Sequence, residues 1–334
     1  MPSEPLKIGI VGCGKQAPKH IDGLRSDGRV VEISAFDTDP AAVAALARQK
    51  KVAMADSLRA MLDDAGIEAV IVAVPTPHHH DVIVAALRTG KHVFCEKPLC
   101  ATVDEAEKIR EVSRETGRFV QVGYVYRFVP AFRFTRDTLA DAEQPLGRPV
   151  LAIMRLGGRG SHSAWKHRRD AGGGAINEML VHILDLAGWL FGPIENAKWH
   201  EALLLRPERV IDGALITADA EDFVLVSGRS RDGVHVLLEA DLVTPTFQQY
   251  VELQGENGTF VGSIQSDHPA YLHLIEARGA YAAGRKDLAF PQENLFHSQM
   301  QNFLGNIERG GARDCATVDD TLSIFEMMEQ VRAS

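Results

Sequence analysis

Leu6-Lys7-Ile8-Gly9-Ile10-Val11-Gly12-Cys13-Gly14-Lys15-Gln16-Ala17 is an apolar run that passes straight into a glycine loop and then into helix-compatible sequence. Gly12-x-Gly14-x-x-Ala17 is the GxGxxA form of the dinucleotide fingerprint. The first glycine permits a tight turn and the second lets backbone come close to a pyrophosphate. The small Ala17 lets helix pack on strand, and the helix start offers N–H groups and a positive dipole end. Pro18 fits because it falls in the first turn. Gly12, Gly14, Lys15, Gln16 and Ala17 are therefore the pyrophosphate candidates.

Downstream, Val30-Val31-Glu32-Ile33-Ser34-Ala35-Phe36 reads as a second strand ending at Asp37, about 20 residues past the glycines as the fingerprint requires. A carboxylate there accepts hydrogen bonds from ribose hydroxyls and repels a 2'-phosphate, which favours NAD over NADP. The competing role for Asp37, capping the helix that starts near Pro40, is one Asp39 can fill. A helix over 40–49, a strand around 52–54, a helix over 58–64 and a strand over 69–74 follow. Such alternation predicts a parallel, doubly wound sheet. Pro75-Thr76-Pro77 then leads into His78-His79-His80. Successive helical residues point about 100° apart, so three adjacent histidines do not converge on one ion, and no metal site is assigned. A helix N-terminal turn beside the cofactor is the reading adopted, with Pro75, Thr76 and His79 as cofactor contacts.

A helix over 80–89 stops at Gly90. Next comes Val93-Phe94-Cys95-Glu96-Lys97-Pro98-Leu99, a strand that must end where Pro98 withholds the ladder hydrogen bond. In an open parallel sheet ligands sit at the carboxyl ends of strands, so Glu96 and Lys97 point at a site and are expected as cofactor contacts. Taken alone, the tripeptide fits an ordinary exposed lysine better, since exposure is the default for that residue. Thr102-x-x-Glu105 is a capping box for a helix ending at Gly117, and residues 119–124 supply a sixth strand. A cofactor domain over 1–124 is complete there.

Past Tyr126-Arg127-Phe128 and a helical segment reaching about 141, the pattern turns to strands over 150–156, 197–205, 223–227, 234–241, 250–254, 259–264 and 271–276. Glu256-Asn257-Gly258 marks a hairpin, so a mostly antiparallel sheet is expected in a second domain over 125–334. Two amphipathic helices, 294–309 and 318–332, close the chain. Within this half, Gly172-Gly173-Gly174 opens a helix on which Glu178, His182 and Asp185 recur at i, i+4 and i+7 and so share a face. Two acids and an imidazole on an otherwise apolar helix are costly to bury without a task. The plainer account is a solvated face with a satisfied core histidine.

The 334 residues suit two domains at about 150 each. An apolar fraction of 45% is that of a globular protein. There is no apolar run of about 18 residues and no basic start leading into a signal-type segment, so a cytoplasmic protein without a membrane span is expected. Cys13, Cys95, Cys100 and Cys315 have no CxxC spacing and read as reduced thiols. A net charge of −9 and a pI near 5.8 argue against a nucleic-acid partner. The basic cluster Lys166-His167-Arg168-Arg169 is at most an anion contact.

Taken in order, Gly12-x-Gly14-x-x-Ala17, Thr76-Pro77 with His79, Gly90-Lys91-His92-Val93 leading into Glu96-Lys97-Pro98, Tyr126-Arg127-Phe128, and Gly172-Gly173-Gly174 with His182 make the chain resemble the Gfo/Idh/MocA oxidoreductases over nearly its whole length. This is the family of glucose-fructose oxidoreductase and inositol dehydrogenase. The resemblance implies an α/β fold: a Rossmann domain, a second α+β domain with an open sheet used for assembly, bound nicotinamide cofactor, a catalytic Lys97 whose bond to Pro98 is often cis, and a homodimer or homotetramer. One position departs. The family commonly has aspartate four residues before the histidine, and this chain has Glu178, about one bond length longer.

The mechanism expected from these residues begins with His182 removing a hydroxyl proton from a polyhydroxylated substrate. Lys97 holds that oxygen, and Glu178 orients either of them. Tyr126, Arg127, Trp165, Lys166 and Asn177 are the expected substrate contacts. The alternatives are a reductase of another carbonyl or an imine, and a nucleotide-dependent sensor that keeps the fold without catalysis.

Overall fold

The computed structural model describes residues 5–26, 28–29, 32–158, 163–211, 213–265 and 267–333. Val30 and Val31, expected at the head of the second strand, lie outside them. The chain divides into two compact units, Met1–Val125 with Glu293–Leu322, and Tyr126–Gln292 with Ser323–Ser334.

In the first unit, β1 (Lys7–Val11), α1 (Ala17–Arg25), β2 (Glu32–Phe36), α2 (Pro40–Lys50), β3 (Ala53–Met54), α3 (Leu58–Asp63), β4 (Ile67–Val72), α4 (His79–Arg88), β5 (His92–Cys95), α5 (Val103–Thr116) and β6 (Val120–Val122) alternate as expected. The six strands run parallel in the order β3-β2-β1-β4-β5-β6, with the chain crossing from one side of the sheet order to the other between β1 and β4. The carboxyl ends of β1, β4 and β5, where that switch occurs, carry the glycine loop, the Pro75-Thr76 turn and Glu96-Lys97. Thr102 and Glu105 form the capping box of α5, and Gly117 ends it in a left-handed conformation.

The sequence reading keeps 125–334 together, whereas the structure returns part of the tail to the first unit. Further along the chain than the second unit's strands, α8 (Leu295–Arg309) contributes Met300, Phe303, Leu304 and Ile307 to the core built by Ile8, Ile10, Ile21, Leu24 and Phe94. An apolar helical stripe identifies a face to bury but says nothing of which sheet buries it. Gly23 decides the partner locally, because a Cβ there would come 2.7 Å from the Phe296 carbonyl oxygen.

The second unit contains α6 (Pro130–Ala140), β7 (Pro149–Gly157), a π-turn over Ile176–Leu180 and α7 (Val181–Phe191). It continues with β8 (Ile194–Leu203), β9 (Glu208–Ile211), β10 (Ala214–Thr217), β11 (Phe223–Ser230) and β12 (His235–Asp241). β13 (Gln248–Gly255), β14 (Gly258–Ser263), β15 (Tyr271–Leu274) and β16 (Gly284–Asp287) complete its strands, and α9 (Val318–Ala333) ends the chain. Eight strands form one sheet in the order β16-β15-β14-β13-β7-β12-β11-β8. All its pairs are antiparallel except β7 with β12. Glu256 and Asn257 make the expected hairpin turn between β13 and β14. Burial alternates along β11, β12 and β13, as a sheet covered on one face requires. α7 lies against β7, β8 and β12 of that face. The hairpin of β9 and β10 has no counterpart in the sequence reading, since its four-residue strands leave Val210 and Leu215 exposed and carry no buried apolar face to betray them.

Candidate active site

Two groups of functional side chains assemble, one within each unit. In the first, Gly12 adopts φ +98°, and a Cβ there would lie 2.5 Å from the Ala73 carbonyl oxygen. The loop after β1 is thereby pressed against the end of β4, a contact only glycine permits. Gly14 is the opposite case: a Cβ there meets nothing within 4 Å, which leaves its backbone face open to a ligand. No side chain caps the start of α1, and Gln16 Oε1 is buried without a hydrogen-bond partner. Lys15 is exposed and Ala17 fully buried against the sheet. An anion seated at these amides would receive hydrogen bonds and the positive end of the helix dipole.

Of the two acids, Asp39 fills the capping role. Asp39 Oδ1 accepts from Ala41 N at 2.9 Å and caps α2. Asp37 Oδ2 accepts from Cys13 N at 2.7 Å, and its Oδ1 accepts from Asp39 N at 3.0 Å. A carboxylate of the second strand is therefore fastened to the glycine loop itself. Burial, and then the charge of Asp37, push the Cys13 thiol up to about 11, so the loop carries no thiolate to repel phosphate.

The three histidines point three ways. His78 is exposed, His80 Nδ1 meets Asp81 Oδ1 at 2.9 Å, and His79 is buried. The His79 ring nitrogens lie 2.9 Å from the Pro98 carbonyl oxygen and 2.8 Å from that of Val74, bridging the turns that follow β5 and β4. It clamps these turns rather than facing outward, while Pro75 is exposed and Thr76 half-buried beside it. The Lys97–Pro98 peptide is cis, and Lys97 is half-buried at the end of β5. Glu96 Oε1 meets His20 Nε2 at 2.7 Å. Burial works against the Glu96 carboxylate, but the hydrogen bond and charge of His20, together with Lys97, outweigh it and hold the group below the usual range.

In the second unit the π-turn holds Glu178, and α7 begins immediately after it with His182 in its first turn. Glu178, His182 and Asp185 are all buried. The acids have separate partners. Asp185 is paired with Arg127, whose Nε lies 2.9 Å from Oδ2 and whose Nη2 lies 2.6 Å from Oδ1. Arg127, expected as a substrate contact, is 3% exposed and braced against α7. Glu178 Oε2 meets Lys166 Nζ at 2.5 Å, and Lys166 lies over the ring of half-exposed Trp165. The Tyr126 ring stands 4.8 Å from that of His182. Its hydroxyl receives a long 3.4 Å contact from Gln249 Nε2. Burial, little offset by that contact, pushes the phenol up to about 12.

Two of the glycines that open this segment make room for neighbouring atoms. A Cβ on Gly173 would lie 2.3 Å from the Lys166 carbonyl oxygen, and one on Gly174, at φ +108°, would lie 2.1 Å from Glu221 Oε1. Gly173 admits the loop bearing Trp165 and Lys166, Gly174 admits the Glu221 carboxylate, and Asn177 Nδ2 closes the turn by donating to Gly172 O at 3.1 Å. Sequence reasoning missed His20, Gln249 and Glu221. Nothing marks them short of knowing which elements touch, except that His20 falls on the buried side of α1, one turn past Ala17.

A doubly wound sheet with an open glycine loop at its switch point and an acid of the second strand tied to that loop defines an NAD-binding Rossmann-fold oxidoreductase. Residues 6–124 match the oxidoreductase family with an NAD-binding Rossmann fold called Gfo/Idh/MocA, and residues 139–261 match that family's C-terminal domain. The chain belongs to the Gfo/Idh/MocA family. It is 30% identical over 271 residues to the inositol 2-dehydrogenase of Acidothermus cellulolyticus, covering 79% of this chain and 74% of that one. It is 26% identical over 334 residues to the 1,5-anhydro-D-fructose reductase of Ensifer adhaerens, covering 98% and 95%. Among solved structures, levoglucosan dehydrogenase in complex with NADH and levoglucosan superimposes with a TM-score of 0.85 over 98% of this chain and 96% of that one, at 20% identity, a likeness of fold.

Proposed function

We propose that the protein is an NAD-dependent dehydrogenase that transfers hydride between nicotinamide and a secondary alcohol or hemiacetal carbon of a sugar, inositol or related polyol. The observation that carries this reading is the buried His182 at the start of α7, flanked by the Tyr126 ring and followed by a fully paired Asp185. A buried imidazole beside groups already satisfied by one another suits removal of a hydroxyl proton. The names of the relatives, an inositol dehydrogenase and an anhydrofructose reductase, support the substrate class.

The bound cofactor supplies the hydride acceptor, or in reverse the donor. Gly12, Gly14, Lys15, Gln16 and Ala17 hold its pyrophosphate, and Asp37 takes the ribose hydroxyls. Pro75 and Thr76 border it, and His79 and Glu96 set the turns that carry Lys97. Lys97, as an ammonium, holds the substrate oxygen and stabilises the developing alkoxide, while His182 takes its proton. Tyr126, Trp165, Lys166 and Asn177 set substrate shape. Arg127 enters this scheme only by bracing Asp185, and Glu178 by holding Lys166. The first unit serves the cofactor and the second the substrate, and the protein assembles as a homodimer or homotetramer. Light scattering in solution tests the assembly, which a monomer would refute.

The deciding experiment measures NADH formation by purified protein with NAD and a panel of inositols, aldoses, anhydro sugars and sugar acids, beside Lys97→Met. Turnover in the wild type and a loss of about a hundredfold or more in the variant is expected, with NADH binding retained. Equal turnover in Lys97→Met would remove Lys97 from the reaction.

A further inference from the structure

His20 is fully buried in α1, the helix whose start carries the glycine loop. An imidazole in an apolar core needs a reason to be there. Its ring packs edge-on against Phe94 of β5, with centroids 5.1 Å apart, and against Phe296 of α8, at 5.7 Å. Nε2 reaches Glu96 Oε1 at 2.7 Å, and Nδ1 has no hydrogen-bond partner. An ionised carboxylate only accepts, so Nε2 carries the proton and donates. The remaining room around Glu96 is tight. A Cβ on Gly123 would fall 3.3 Å from Glu96 Oε2 and 3.2 Å from the Cys95 carbonyl oxygen. Backbone bonds from Glu96 N to Val72 O at 3.0 Å and from Gly123 N to Cys95 O at 2.7 Å fix the strand end on both sides.

We infer that His20 is a positioning residue: its Nε2–H bond holds Glu96 as an oriented carboxylate and thereby ties the Glu96-Lys97 turn to the helix that starts at the pyrophosphate loop. The inference rests on the role proposed above for Glu96, setting the turn that carries Lys97. The charged and titratable groups that act on Glu96 are His20 from α1 and, from its own segment, Lys97 and the Cys95 thiol. Gly123 beyond β6 and Phe296 from α8 bring no charge, and Lys19 Nζ lies on the Phe296 ring at 4.8 Å. Removing the His20 donor takes away the principal neighbour that keeps Glu96 ionised despite burial.

The test uses the full-length protein and needs no substrate. Difference infrared spectra across a pH series follow the carboxylic acid band of Glu96, assigned by its loss in Glu96→Gln. NADH fluorescence titrations follow affinity over the same series. His20→Phe keeps an aromatic ring in the slot and removes the donor, whereas His20→Gln keeps an N–H within reach. In His20→Phe the band appears one to two pH units higher, since a hydrogen bond to a charged group shifts its equilibrium about ten- to a hundredfold. The dissociation constant for NADH rises about tenfold on the acid side of the new titration and recovers as pH is raised past it, and His20→Gln stays near wild type. A band that does not move in His20→Phe overturns the inference, as does an NADH loss in both variants that no pH repairs. If His20→Phe does not fold, Glu96→Gln decides: it keeps the shape and the His20 bond, and must abolish the pH dependence of NADH affinity seen in the wild type. An unchanged pH dependence in Glu96→Gln overturns the inference as well. Failure of the dehydrogenase reading would show instead as silence in the substrate panel, with these binding signatures intact.

Discussion

Glu178, which stands where the resemblance leads one to expect an aspartate, has a partner in the structure. The longer acid meets Lys166 Nζ at 2.5 Å, and Lys166 rests on Trp165. With side chains only 27% and 10% exposed, this pair is sheltered enough for its geometry to matter, unlike a solvated surface pair. We expect Glu178→Asp, one methylene shorter, to lose the contact and lower kcat/KM about tenfold on the best substrate of the panel. Glu178→Gln and Lys166→Met should each do the same, and the double variant should be no worse than either, because residues in one pair are not additive. Additive losses would mean that the two act separately. Asp37 was legible at this scale, since strand, spacing and carboxylate all lie in the sequence. The pairing of Arg127 with Asp185 was not, because the two stand 58 positions apart and only packing brings them together.

Among elements, the segment from Ile176 to Phe191 reads in sequence as one amphipathic helix and is in fact a π-turn followed by α7. Wide turns of this kind cluster at functional sites, and no residue type signals them. Asp185 and Arg127 brace α7 with a buried pair, 1% and 3% exposed in their side chains. Arg127→Met strands that carboxylate and should cost about 3–5 kcal/mol of unfolding free energy, whereas Arg127→Met with Asp185→Leu should recover most of it. Denaturant titration measures both, and a single variant as stable as the wild type would contradict the bracing role. β5 supplies a second test. His92 is buried at its start with Arg118 Nη1 at 3.0 Å, and burial, then the Arg118 charge, lower the imidazole from 6.5 to about 4. The folded state then binds fewer protons than the unfolded one between these values. The contribution of His92 is whole above about pH 6.5 and is lost as pH falls through about 4. The fall in melting temperature across that interval should be smaller in His92→Gln. An identical fall would place the acid sensitivity elsewhere.

For the molecule as a whole, a ligand that binds only the folded state stabilises it by mass action, about 2.7 kcal/mol at a hundredfold excess over the dissociation constant. NADH should therefore raise the melting temperature by several degrees, and NADPH at equal concentration by less, because in the proposed reading the Asp37 carboxylate, held by Cys13 N at 2.7 Å, would meet the 2'-phosphate. Equal shifts would remove the discrimination assigned to Asp37. No helix among the described residues is long and apolar enough to cross a membrane. The sequence alone determined the six-stranded parallel sheet, the glycine loop, the break at Glu96-Lys97-Pro98 and the antiparallel character of the second half. Each is written in local periodicity, turn chemistry or backbone freedom, which act over a few residues. Tertiary structure alone decided that α8 completes the first core, that His20 holds Glu96, that His79 faces inward and that the acids of the 178–185 stripe take Lys166 and Arg127. Those outcomes depend on which distant surfaces meet. A single chain records what each residue is able to do, and packing selects which partner receives it.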